Sequence, residues 1–277
     1  MKAARPTAGA LSLRVVAVAF LGVMVALPLA AVVGSVLTGP GGVGTALHAL
    51  LSRTARAALW LTVWTAVVVA LVNAVMGTLT AWVLSRYHFV GKAILNAAID
   101  LPFAIPTLVT GLMLVVLYGP QQVIGHLLAA HGLRLLFAPA GIILSLLFVT
   151  FPFVVRAVEP VLMDIDVDQE EAAATLGSSP FRTFVQVVLP ALRPAVLTAT
   201  LLTFTRALGE FGAVVVVAGN IPRRTLTAPV YVFGAIESGE PAAASAMSLV
   251  LVAVSAGLIL AVDRYTRSRA RAMGVRV

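Results

Sequence analysis

The 277-residue chain contains no cysteine, which excludes disulfides and thiolate metal sites. It has two lysines, Lys2 and Lys92, and neither stands in a G-x-x-x-x-G-K-[ST] loop. The chain therefore does not cradle nucleotide phosphates by that route. Four histidines, His48, His88, His126 and His131, are scattered through predicted loops without the spacing of a helical zinc site, so neither a metal nor a cofactor is expected. Charge of either sign is scarce: Asp, Glu, Lys and Arg make up 11% of residues, less than half the ~25% of soluble domains. No pair of acids and no histidine cluster falls inside an apolar run, so no catalytic residue is predicted and a membrane-embedded enzyme is disfavoured.

What is abundant is apolar surface. Hydrophobic residues reach 60% and the mean hydropathy is +1.04. A soluble fold of this length could not hide that much, so lipid is the solvent for much of it. The net charge of +8 comes without a basic, aromatic-laced patch and does not speak for nucleic acid. A lysine and arginine excess on the cytoplasmic side of a membrane accounts for it better.

Charges punctuate the chain, and the gaps between them predict six spans of about 20 residues. These are 15–37, 57–85, 101–118, 135–155, 194–218 and 241–262. The first is too long for the apolar core of a cleaved leader, about 7–15 residues, and is expected to be kept. Trp60, Trp64 and Trp82 lie near the ends of the second as interfacial anchors. Pro102 and Pro106 should kink or partly unwind the third; Pro139 and Pro152 sit near the ends of the fourth. The fifth is interrupted by Arg206 and Glu210. With both termini in the cytoplasm, the inner side holds thirteen lysines and arginines and the outer side five: Arg53, Arg56, Arg134, Arg223 and Arg224. The remaining cation, Arg206, lies within a span. The split favours a multi-pass cytoplasmic (inner) membrane protein with both termini inside, and the tail from Arg264 reads as a topology anchor.

The stretch 164–190 is the longest that cannot sit in lipid, and this orientation places it in the cytoplasm. Asp164, Asp166, Asp168, Glu170 and Glu171 crowd its start. Asp168 is the predicted helix cap, with Glu171 reaching back as a capping box. Ala172, Ala173, Ala174 and Leu176 extend the helix, and Gly177 stops it. Ser179 and Pro180 open a second helix, which Pro190 and Pro194 should limit.

Glu171-Ala172-Ala173, then Gly177, Val187 and Leu189-Pro190, resembles the EAA loop of ABC-importer permeases, with valine where isoleucine is usual. The wording of TRALGEFGAVVVVAGNIP (205–222) resembles the sulfate/thiosulfate and molybdate branch. So does that of DLPFAIPTLVTGLML (100–114), and FPFVVRAVEPVLMDID (151–166) leans the same way. The resemblance implies an all-α membrane protein, a six-helix bundle of the type I (MetI-like) permease kind. A permease core would occupy 57–263, after an N-terminal tail, first span and external loop at 1–56 and before a basic tail at 264–277. It implies import of a tetrahedral oxyanion, sulfate or thiosulfate first and molybdate or tungstate as the alternative. The implied partners are ABC ATPase subunits, a second permease subunit and an extracytoplasmic oxyanion-binding protein. Glu171, Ala172, Ala173, Gly177, Leu189 and Pro190 would couple to the ATPase.

Arg206 and Glu210 stand four apart, so they should share one helix face. Intramembrane charges mark a functional hypothesis. Two readings stay open: an ion pair fixing helix packing, or a charged element lining the translocation path. Gly209 and Gly212 flank the acid and permit close helix approach. An ion-coupled secondary transporter is the rival class; it should carry several intramembrane acids, and Glu210 is the one firm candidate. A structural or assembly protein would not need the helix–glycine–helix loop.

Overall fold

The structure, a computed structural model, describes residues 8–39 and 41–272. Lys2, Arg5 and Arg276, which contribute to the orientation argument, lie outside them. In chain order the elements are α1 (Ala8–Thr38), α2 (Gly42–Leu51), α3 (Arg53–Arg86), α4 (Lys92–Ala104), α5 (Thr107–Tyr118), α6 (Val123–Ala130) and α7 (Pro139–Asp164). Then come α8 (Val167–Thr175), α9 (Pro180–Thr183), a π-helical turn (Phe184–Val188), α10 (Leu189–Leu208), α11 (Gly212–Val217), α12 (Ala228–Glu237) and α13 (Pro241–Ala272). The described residues contain no strand, as an all-α membrane protein requires. His48 and His126 lie on the short helices α2 and α6, not in loops.

Five helices are long and apolar enough to cross a membrane, and a sixth span forms if α4 and α5 count as one. That pair is bent by 114°, so the third predicted span is not a straight helix. The cause is Pro106. It lacks an N–H, and its ring drives the residue before it out of the helical region. Ile105 accordingly takes φ −88°, ψ 125°. Pro102, by contrast, is accommodated inside α4. The fourth span starts at Pro139, later than predicted, because Phe137 is held at φ 56° by its N–H donating to the carbonyl of Val217 at 3.0 Å.

The chain divides into two compact units, residues 1–52 with 232–250 and residues 53–231 with 251–277. In the smaller unit, α1 shows almost its whole apolar surface: Phe20 and Leu27 are more than 60% exposed. Such a surface is stable only in lipid. The Ser35 hydroxyl donates to Ser245 at 2.8 Å.

The larger unit is built on α3, α7 and α10. Lipid is as apolar as leucine, so close packing rather than hydrophobic burial must hold these helices together. Gly77 supplies it: a Cβ there would lie 2.7 Å from Val154 Cβ. One turn away, Asn73 Nδ2 donates to Thr150 Oγ1 at 2.8 Å, an interhelical bond worth on average about 0.6 kcal/mol. Two apolar clusters mark opposite ends of the bundle. One joins Leu61, Ile142, Phe204 and Leu208. The other joins Leu84, Leu162, Phe184, Val188 and Leu192 and carries the 164–190 loop.

Candidate functional site

The loop begins at Asp166, not Asp168. Asp166 takes extended angles (φ −63°, ψ 122°) and its carboxylate accepts from the Asp168 N–H at 3.1 Å. The sequence offered three aspartates at alternate positions, and the earlier one wins because α7 runs through Asp164 and leaves only Ile165 and Asp166 extended. Glu171 is therefore not part of a capping box and is exposed. Its neighbour Glu170 turns inward, where Arg86 of α3 holds it at 2.7 Å with both side chains about 15% exposed. Arg86 also donates to the Ile165 carbonyl at 3.1 Å. The loop is thus latched to the foot of α3 by an ion pair that sequence reading missed. The signal was Arg86 itself, the first charge after a long apolar run.

Gly177 closes α8 at φ +81°. Its N–H donates to Ala174 O at 2.9 Å, and the Ser178 N–H donates to Ala173 O at 3.0 Å. That two-bond pattern is a Schellman motif, which needs a left-handed residue at this position. Ser179 then accepts from the Arg182 N–H at 3.4 Å, with Pro180 in the first turn of α9, as the sequence predicts.

The second helix does not stop where the prolines suggest. Residues 180–208 run as one helical rod. Pro190 removes a hydrogen bond and its ring would strike the carbonyl four residues back. The widened π-helical turn at Phe184–Val188 lies just before it and absorbs the misfit. This turn is anchored by Phe184, whose ring centroid lies 4.7 Å from that of Trp82. Trp82 is therefore a packing partner beneath the loop.

The six predicted coupling residues do not form one patch. Glu171, Ala172 and Gly177 lie on the outward half with Ala173 half-buried, whereas Leu189 and Pro190 sit half-buried at the head of α10. Two residues outside the prediction join the outward half: Leu176 and Phe181, 88% and 77% exposed, flank the bend. The outward surface combines an acid, small side chains and two bare apolar side chains on a rigid turn, which suits a protein partner.

Arg206 and Glu210 do meet: Arg206 Nη1 lies 2.6 Å from Glu210 Oε2. They do not share one helix face, because α10 ends at Leu208 and Glu210 sits in the break before α11. Glu210 Oε1 also accepts from the Ala213 N–H at 3.0 Å. The acid is 1% exposed at its side chain and the arginine 34%. Gly212 supplies the close approach foreseen for it, since a Cβ there would meet Thr107 Oγ1 at 2.2 Å. Gly209 does not, as its nearest neighbour is 3.9 Å away. Gly111 completes the contact, with Ala213 O 2.7 Å from its would-be Cβ. α11 thus packs backbone to backbone on α5.

Arg206 borders an open cavity of about 380 Å³, whose other walls are residues 102–107, Val149 and Phe153. Nearby, Arg156 grips Asp100 with Nε and Nη2 at 2.7 and 2.8 Å, Glu159 with Nη1 at 2.5 Å, and the Asn96 carbonyl at 3.1 Å. This clamp ties α4 to α7. Sequence reading counted Arg156 only as a topology charge, although the i,i+3 spacing to Glu159 was a signal.

Residues 75–274 match the family described as binding-protein-dependent transport system inner membrane component. The chain is 44% identical over 220 residues to a probable sulfate transport system permease protein cysT from Nephroselmis olivacea, covering 79% of this chain and 78% of that one. It is 44% identical over 199 residues to the sulfate transport system permease protein CysT of Synechocystis sp., covering 72% and 70%. Among solved structures it resembles a bacterial ABC transporter that imports the acidic polysaccharide alginate. The TM-score there is 0.78 at 15% identity, over 93% of this chain and 94% of that one. It also resembles the inward-facing MetNI methionine ABC transporter, with TM-score 0.55 at 19% identity, over 79% and 99%. At such identities the two structures speak for the fold alone.

Proposed function

The chain belongs to the binding-protein-dependent transport system inner membrane components, and from that premise we propose that it is the membrane-spanning permease subunit of an ATP-driven sulfate importer. It is a transport subunit and not an enzyme: ATP is hydrolysed on partner ATPase subunits, and an extracytoplasmic binding protein delivers the anion. The observation that carries this reading is the 44% identity to sulfate permeases over 220 and 199 residues.

Within that assembly the α8–Gly177–α9 turn docks against the ATPase. Glu171, Ala172 and Ala173 face the partner, and Leu189-Pro190 joins the turn to α10. The support is its exposure, its Schellman geometry and its latch to Arg86. A second permease subunit completes the pathway. The chain sits in the cytoplasmic membrane with both termini inside, a reading supported by the thirteen-to-five charge split. The core follows the division 57–263, with the first span before it and the basic tail after it.

The test is uptake of labelled sulfate by cells carrying the whole system, with thiosulfate and molybdate as competitors. ATP-dependent sulfate uptake that requires this chain is expected. Uptake of molybdate in preference to sulfate would refute the sulfate assignment.

A further inference from the structure

We propose that Arg206 is a transient contact point for the oxyanion on its way through the membrane, and that Glu210 is its positioning residue. This inference rests on the proposed function. The argument starts from an asymmetry within the pair. Glu210 is sequestered, with its side chain 1% exposed and its two oxygens taken by Arg206 and by the Ala213 N–H. Arg206 is a third exposed and spends one nitrogen, Nη1, on that acid. Its Nε and Nη2 form no hydrogen bond among the described residues, and Arg206 lines the cavity.

Arg206 is the one charged residue among those lining that space. The nearby acid on the α4 wall, Asp100, is gripped from two sides by Arg156. Asp100 and Glu210 are therefore each committed to an arginine, while the Arg206 guanidinium keeps free donors.

The cavity lies where an anion in transit would need it. Val149 and Phe153 belong to the middle of α7, a membrane-crossing helix. The Ile105–Pro106 break also lines it. Irregular backbone at membrane depth is stable where it lines a hydrated space. α5 begins at this break, so its positive dipole end adds to the potential there.

A tetrahedral dianion needs hydrogen-bond donors in a fork, which guanidinium supplies and ammonium does not. Glu210 cancels part of the charge, so the contact is weak. Weakness suits transit, because an ion must bind well enough to enter and loosely enough to leave.

The chain's lack of cysteine makes a direct test possible. Ala104→Cys places a single thiol of this subunit on the cavity wall. It is labelled in the complete importer, in proteoliposomes, with an anionic and a cationic methanethiosulfonate reagent of similar size. The anionic reagent should be favoured. Adding Arg206→Gln with Glu210→Gln removes the exposed cation together with the buried acid that only partly cancels it, and should lower the anionic-to-cationic rate ratio about threefold. Without Ala104→Cys, the same double replacement should cut sulfate uptake by at least about tenfold. The ATPase should still co-purify and respond to loaded binding protein.

Arg206→Lys, which keeps the charge, should hold the labelling ratio and still transport more slowly than wild type. If the double variant does not assemble, Arg206→Met with Glu210→Gln replaces it, filling a similar volume with no charge left buried. An unchanged labelling ratio, or sulfate uptake equal to wild type in an assembled neutral variant, overturns this inference and leaves the proposed function standing. A wild-type importer that moves no sulfate overturns both.

Discussion

Replacing Gly177 isolates the contribution of one backbone torsion. A Cβ built at Gly177 meets nothing within 4 Å, so a side chain there finds open space and no clash. The whole cost of substitution is conformational, since φ is +81°. An ordinary L-residue loses about 1–2 kcal/mol in the left-handed region, and a β-branched one sits there less readily still. That reduces the population of the native turn by a factor of about 5–30. The two bonds from Gly177 and Ser178 to Ala174 and Ala173 would go with it. Gly177→Val should therefore insert and span normally yet lose most ATPase co-purification and sulfate uptake. Gly177→Asn is the control: it is polar and about as large as valine, but asparagine tolerates the left-handed region. It should keep most of both activities. Were volume at the interface the cause, asparagine and valine would fail together. A Gly177→Val protein that retains its ATPase and transports at the wild-type rate would refute the claim that the left-handed turn shapes the docking surface.

Other outcomes follow from the same geometry. Arg206→Ala strands a buried carboxylate and should damage assembly more than Glu210→Ala, which strands a cation already a third exposed; breaking such a buried pair costs about 3–5 kcal/mol. The Arg206→Ala/Glu210→Ala double variant should recover part of the assembled yield, measured as ATPase co-purified per permease, and no recovery would refute the pairing argument. Glu170→Ala should free the loop from α3 and weaken ATPase retention. The double variant with Arg86→Ala should be no worse than either single if the latch acts as one unit; additive losses would show independent roles. A reporter fused after Val277 should be active only if it works in the cytoplasm, and activity of a periplasm-only reporter there would overturn the orientation.

Much of the fold was legible because lipid imposes a simple rule. Apolar gaps between charges find α1, α3, α7, α10 and α13, but some ends are missed: the fourth predicted span stops nine residues short of the end of α7, and the fifth starts five residues late and runs ten past the end of α10. The misreadings cluster at prolines. Pro106 ends a helix and Pro102 does not, and Pro190 and Pro194 are carried inside one continuous rod. A proline removes one donor wherever it falls. Whether the helix breaks depends on whether a wider turn can form upstream and on what packs around it. For Pro190 the answer lies in Phe184 stacking against Trp82, 102 residues away in sequence, and no local pattern reports that contact.

The candidate sites divide along a similar line. The glycine bend and its serine cap were readable because local torsion and hydrogen bonding dictate them. The choice between Asp166 and Asp168 as cap was not, because it turns on where α7 ends. For the intramembrane pair, the i,i+4 spacing gave the partners but not the geometry. Helical periodicity would place Arg206 and Glu210 side by side and make them equivalent. The break at Gly209 removes that equivalence: it drops Glu210 into the junction with α11, where a backbone N–H takes its second oxygen, and leaves Arg206 at the end of α10 beside the cavity. The two readings of the pair, packing device and pathway element, are therefore not rivals. The acid performs the first so that the arginine can perform the second. A neutral pair of the same shape is the perturbation that separates them, because it keeps the packing and removes the charge.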